Sequence, residues 1–128
     1  MCIRDSTKWR AVINIGEGIP TDKCIDFNMQ ALADYAKCAQ DNGMVPIVAP
    51  EVLMDGVHSI DDCYDASDRS LKSLFDHLEK KGVNIKGTIL KPNMVTSGKD
   101  SDIQASIGEV AKRTFCLLYT SPSPRDRG

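Results

Sequence analysis

The sequence predicts an α/β fold in which parallel strands alternate with helices. Three observations carry that expectation. Short β-branched and apolar runs recur near Val12, Val48 and Ile89. Amphipathic stretches with apolar residues at steps of three and four lie between them. Each gap is also long enough for a crossover helix with its loops. Such spacing suits a closed barrel and an open sheet equally.

The first strand is expected over residues 9–15 (WRAVINI), an apolar run closed by Gly16, Gly18 and Pro20. Thr21 or Asp22 can cap the helix that follows, in which Ile25, Met29, Leu32, Ala33, Ala36 and Ala39 share one face and Gly43 supplies the stop. Residues 45–48 (VPIV) begin a second strand. Pro46 and Pro50 fit it poorly, because neither can donate to a central ladder. Asp55-Gly56 marks a turn, and from about Ile60 a second helix carries Leu71, Leu74, Phe75 and Leu78 on one face, ending at Gly82. The third strand is expected over residues 87–94 (GTILKPNM), and Ser106-x-x-Glu109 reads as a capping box that opens a third helix.

Composition narrows the function classes. The 128 residues carry a net charge of -2 with no basic cluster and only 5% aromatic residues, which argues against a nucleic-acid partner. No apolar run approaches the roughly 20 residues needed to span a bilayer, and the start lacks a secretory pattern, so a cytoplasmic protein with no membrane partner is expected. Cys2, Cys24, Cys38, Cys63 and Cys116 form no C-x-x-C pair. They read as reduced thiols, mostly packing helices. His58 and His77 have no spacing that suggests a metal pair, so no metal site is expected.

Four residues could carry chemistry. Lys91 lies in an otherwise apolar run between Leu90 and Pro92. A lysine there either brings its ammonium to water at a strand end or is kept in a dry setting that disfavours the charged form. In the second case the neutral amine can attack a ketone, giving a carbinolamine and then an imine. Lys8 and Arg10 alternate along the first strand, so both point to one face and Trp9 and Ala11 to the other. Such a pair suits a phosphorylated, anionic substrate, or is ordinary surface charge. Glu51 can act as general acid or base, or is a loop carboxylate.

Lys8-Trp9-Arg10, then residues 45–51 (VPIVAPE), Leu53-Met54-Asp55-Gly56 and residues 90–95 (LKPNMV) together closely resemble the class I fructose-bisphosphate aldolase family, from about Lys8 to Phe115. The resemblance implies a (β/α)8 barrel, of which this chain is a middle piece with about three parallel strands and their helices. It further implies reversible cleavage of fructose 1,6-bisphosphate to dihydroxyacetone phosphate and glyceraldehyde 3-phosphate, without metal or other cofactor, in a full-length protein expected to be a homotetramer. Lys91 matches the family's Schiff-base lysine, and Lys8 the lysine that assists carbon-carbon cleavage. Arg10 matches a position associated with substrate contacts, and Glu51 the second glutamate of an E-P-E motif.

Ala49 departs from the pattern, since the family usually places its acid/base glutamate there. The departure keeps an alternative in view, an aldolase-like scaffold or binding protein with impaired chemistry. Residues 1–6 (MCIRDS) and 116–128 (CLLYTSPSPRDRG) resemble translated sequencing-adapter DNA, so residues 7–115 are expected to be the aldolase-like part. By itself this piece is expected to be inactive.

Overall fold

Thr21 decides where the first helix begins. Its Oγ1 accepts the Cys24 N–H at 3.1 Å, which satisfies one of the unpaired donors at the start of α1 (Asp22–Asp41). The six residues expected on the apolar face of α1 are all buried. The chain leaves α1 through Asn42 and Gly43, whose φ of 75° favours a glycine. Helix α2 (Ile60–Lys80) starts at a reciprocal capping box between Ser59 and Asp62. It buries Leu71, Leu74, Phe75 and Leu78 as the periodicity requires, and Gly82 follows its end at φ 72°.

The computed structural model describes residues 5–120. Three parallel strands, β1 (Ser6–Ile13), β2 (Val45–Val52) and β3 (Ile89–Leu90), lie in that order in one sheet and alternate with α1, α2 and α3 (Ile107–Thr120). This is the expected β-α-β-α-β-α arrangement. The helices cover one face of the sheet. Ala11 and Ile13 of β1 and Val48 and Val52 of β2 point to that face, where they form the core with Met29, Leu32, Leu74 and Leu78. Interhelical contacts hold the layer in place: Arg69 of α2 bonds Asp22 and the Pro20 carbonyl, and His77 Nε2 lies 2.7 Å from Asp26 Oδ1.

The strand limits differ from those expected. β1 begins at Ser6 and ends at Ile13, two residues short of Ile15. β2 begins at residues 45–48 as expected and runs through both prolines to Val52. In a parallel ladder the N–H and C=O of one residue face the same neighbour, so successive residues alternate between neighbours. Val45 N donates to Asp5 O at 2.8 Å and Leu53 N to Ile13 O at 2.9 Å, so the odd-numbered residues of β2 serve β1. Pro46 and Pro50 are even-numbered and face β3, so the ladder to β1 loses no donor. β3 bears the consequence, shrinking from the expected 87–94 to two residues paired with Ile47 and Val48.

Helix α3 opens where expected, with Ser106 Oγ accepting the Glu109 N–H at 3.2 Å. It continues past Phe115 to Thr120 and buries Leu117, so no break in secondary structure marks the boundary expected at residues 115–116. Residues 1–4 and 121–128, most of the ends expected to be foreign, lie outside the described residues, as does Cys2. Of the four other cysteines only Cys63 is packed, whereas Cys24, Cys38 and Cys116 are exposed, contrary to the expected packing role. Burial pushes the Cys63 thiol up from its ordinary value, with hydrogen bonds to Thr96 and Ser67 pulling the other way.

Past the strand ends, the segments following β2 and β3 are stitched together by backbone bonds. Gly98 N donates to His58 O at 2.8 Å, Lys99 N to Met54 O at 2.7 Å and Asp100 N to Gly56 O at 2.9 Å. Gly98 permits this approach, because a Cβ there would collide with the Gly56 carbonyl and the His58 nitrogen. Both obstacles are backbone and cannot turn aside. Gly98→Ala is therefore expected to cost about 1–3 kcal/mol, read as a lowered urea midpoint. Lys99→Ala, which removes only a half-exposed ion pair to Asp55, should cost under about 1 kcal/mol. Equal midpoints for the two variants would mean that the loops do not pack in this way.

Candidate functional site

The register of the sheet gathers the residues singled out from the sequence. Lys8, Arg10 and Val12 of β1 lie beside Ile47, Ala49 and Glu51 of β2, and Ile47 lies beside Ile89 of β3. Laterally paired residues of a parallel sheet point to the same side, and every second residue along a strand does likewise. Lys91, two residues beyond Ile89, thus comes level with Ala49, and its N–H bonds the Val48 carbonyl at 2.9 Å. Arg10, Ala49 and Lys91 form a row across the three strands, on the face turned away from the helices. Glu51 stands one step further along this face, near the carboxyl end of β2.

Two of the expected site residues contact each other directly. Arg10 Nε lies 3.0 Å from Glu51 Oε2, with both side chains at least a third exposed. An ion pair in that setting contributes at most about 1 kcal/mol, so it orients the carboxylate more than it stabilises the fold. Lys8 shares the face and is exposed. Ala49 is 3% exposed, and with Glu51, Lys91, Pro92 and Asn93 it lines one small cleft. The position where a carboxylate was expected is thus filled by a methyl group between a cation and an amine.

The strand placement of Lys91 is corrected. Lys91 does not lie within a strand: it sits one residue past the end of β3 and is exposed, the water-facing one of the two settings its sequence allows. The cause is the sheet face it occupies, which no other element covers among the described residues; Ile89 on that face is 50% exposed. Arg10 shares the face of Lys8 as expected and is paired there with Glu51. Glu51 is not a loop carboxylate, being the penultimate residue of β2.

Asn93 escaped the sequence reading although it stands in the same motif as Lys91. Its Oδ1 accepts the Val52 N–H at 3.1 Å, and its Nδ2 lies 3.3 Å from Ser67 Oγ and 3.0 Å from Met94 O. The available signal was Pro50: without its N–H the ladder to the next strand breaks off there, and the following donor, the Val52 N–H, needs a side-chain acceptor. His58 is buried behind the site and His77 serves the helix contact. Among the described residues no group of three His, Cys, Asp or Glu side chains converges as a metal site, and no helix is long and apolar enough to cross a membrane.

Comparison with known proteins gives a consistent result. The family model for fructose-bisphosphate aldolase class-I matches residues 4–124. A probable fructose-bisphosphate aldolase class 1 of Xanthomonas axonopodis is 54% identical over 117 residues, covering 91% of this chain and 35% of that protein. Cytosolic fructose-bisphosphate aldolase 4 of Arabidopsis thaliana is 45% identical over 87% of this chain and 28% of its own length. The solved fructose-bisphosphate aldolase of Plasmodium falciparum, in complex with TRAP and a small-molecule inhibitor, superposes with a TM-score of 0.91 at 38% identity, covering 97% of this chain and 36% of that one. The chain thus spans about a third of the length of the relatives it matches.

Proposed function

The chain belongs to the class-I fructose-bisphosphate aldolase family, and from that premise we propose that it supplies the imine-forming third of a Schiff-base aldolase built as a (β/α)8 barrel. The observation that carries this reading is the row of Arg10, Ala49 and Lys91 across three parallel strands, with Glu51 beside it near their carboxyl ends. Active sites of parallel barrels form at that end.

In this reading the Lys91 amine attacks the ketone carbon of fructose 1,6-bisphosphate, and the resulting carbinolamine loses water to give an imine. A base removes the C4 hydroxyl proton, the bond between C3 and C4 breaks, and its electron pair moves into the imine to form an enamine. The aldehyde product, glyceraldehyde 3-phosphate, leaves. Protonation and hydrolysis of the enamine release dihydroxyacetone phosphate and restore the amine. Glu51 is the carboxylate available for the proton steps, and Lys8 and Arg10 offer positive charge to the phosphorylated substrate. Remaining strands of a barrel would cover the exposed face and remove Lys91 from water. A cytoplasmic location accords with the Arabidopsis relative's name.

The test is a chimera in which residues 5–120 replace the matching third of the Xanthomonas relative. Dihydroxyacetone phosphate followed by borohydride should leave one reduced adduct at Lys91, found by peptide mass, and Lys91→Met should abolish it. An adduct spread over other lysines with Lys91 unmodified would remove the reading.

A further inference from the structure

We propose that Asn93 is a positioning residue whose side-chain amide replaces the missing end of β3 and fixes the Glu51 end of β2 against Lys91. The proposal rests on the imine reading above for its functional consequence and on backbone geometry for its mechanism.

The even-numbered residues of β2 turn their backbone groups toward β3. Of these, Pro46 and Pro50 have no N–H, and Val48 accepts from Lys91 N at 2.9 Å. Val52 is the next residue with a donor to place. A longer β3 would meet it with the backbone carbonyl of residue 93, but β3 stops at Leu90, and Pro50 on the facing strand has no N–H to offer the Lys91 carbonyl and carry the ladder further. Asn93 Oδ1 takes the Val52 N–H at 3.1 Å instead. The same amide is anchored from the other side, its Nδ2 lying 3.3 Å from Ser67 Oγ on α2, a residue only 3% exposed, and 3.0 Å from Met94 O. One planar group therefore ties together the residue after Glu51, the segment after Lys91 and the helix behind them. An uncharged amide suits the place, since it accepts on one side and donates on the other. Aspartate would keep the acceptor and lose both donations.

The experiment uses the 128-residue chain with Asn93→Ala and Asn93→Asp. Amide exchange at Val52 is compared with that at Leu53, whose N–H bonds Ile13 O on the opposite side of β2 and owes nothing to Asn93. Asn93→Ala should speed exchange at Val52 by about tenfold or more and leave Leu53 within about twofold. Asn93→Asp should restore most of the protection. In the chimera described above, borohydride trapping of dihydroxyacetone phosphate at Lys91 should fall severalfold with Asn93→Ala, with a displaced pH profile. Should the alanine variant fail to fold, Ser67→Ala removes the anchor, together with a hydrogen bond to the Cys63 thiol on the same helix, and a smaller acceleration at Val52 with Leu53 unchanged is expected. Acceleration of Val52 and Leu53 together, or of neither, overturns the proposal, as does unchanged trapping at Lys91. Absence of any Lys91 adduct in the unsubstituted chimera counts against the imine reading, and the exchange pair then decides alone for or against Asn93.

Discussion

Ala49→Glu in the Xanthomonas chimera is expected to raise kcat for fructose 1,6-bisphosphate cleavage by about 10²- to 10⁴-fold, the range typical of a positioned general acid or base. The expectation follows from where Ala49 sits. It pairs laterally with Arg10, is level with Lys91 and lines the cleft with Glu51, so a carboxylate there reaches the amine without moving the backbone. Two steps need such a group. Carbinolamine dehydration requires a proton for the departing hydroxyl, and carbon-carbon cleavage requires removal of the proton on the C4 hydroxyl. In the proposed reading, with alanine in place both would fall to Glu51, which is two residues further on and held by Arg10 at 3.0 Å.

A glutamate at position 49 also competes for Arg10, which frees Glu51 to act on its own. Ala49→Gln is the control, because it adds the same bulk and hydrogen-bonding reach but moves no proton. It should give less than about a tenth of the glutamate gain. If glutamate and glutamine raise the rate equally, the deficit is one of packing and not of proton transfer. Ordinary family turnover in the unsubstituted chimera would dispose of the impaired-scaffold alternative and make Glu51 sufficient.

How far such residues could be placed from the sequence depended on whether a local rule decided them. Helix limits were legible because caps and glycines are local: Thr21, Ser106, Gly43 and Gly82 act within a turn of where they stand. Ser59 was overlooked because its box closes on aspartate instead of the commoner glutamate or glutamine. The strands were harder. Pro46 and Pro50 looked disruptive in β2, and only the ladder shows that their missing donors all face the short strand. That one fact lets β2 run on through both prolines and shortens β3 below its expected length.

The site shows the same division. Alternation along β1 placed Lys8 and Arg10 on one face, and the register confirms it. The ion pair between Arg10 and Glu51, however, depends on how two strands are offset, which no single strand records. Exposure of Lys91 was illegible for a related reason: whether a sheet face is dry depends on what lies opposite, not on the residues it carries.

The unequal faces of the sheet lead to a stability prediction of comparable size. Leu74→Ala should destabilise the 128-residue chain by about 2–5 kcal/mol, measured from urea unfolding. Leu74 is 0% exposed and lines a small cavity with Val48, Leu78 and Leu90, so truncation enlarges a void at the centre of the helix-covered core. Ile89→Ala removes a similar volume from the other face of the same strand region, yet Ile89 is half exposed and its loss should cost under about 1 kcal/mol. In the chimera the cost of Ile89→Ala should rise to about 2 kcal/mol or more, because burial of that face adds both the transfer and the cavity contributions. The Leu74→Ala cost should stay near its value in the short chain, since its surroundings are already complete. If Ile89→Ala costs the same in both settings, the open face is not where the rest of a barrel packs, and the account of how Lys91 is withdrawn from water fails with it.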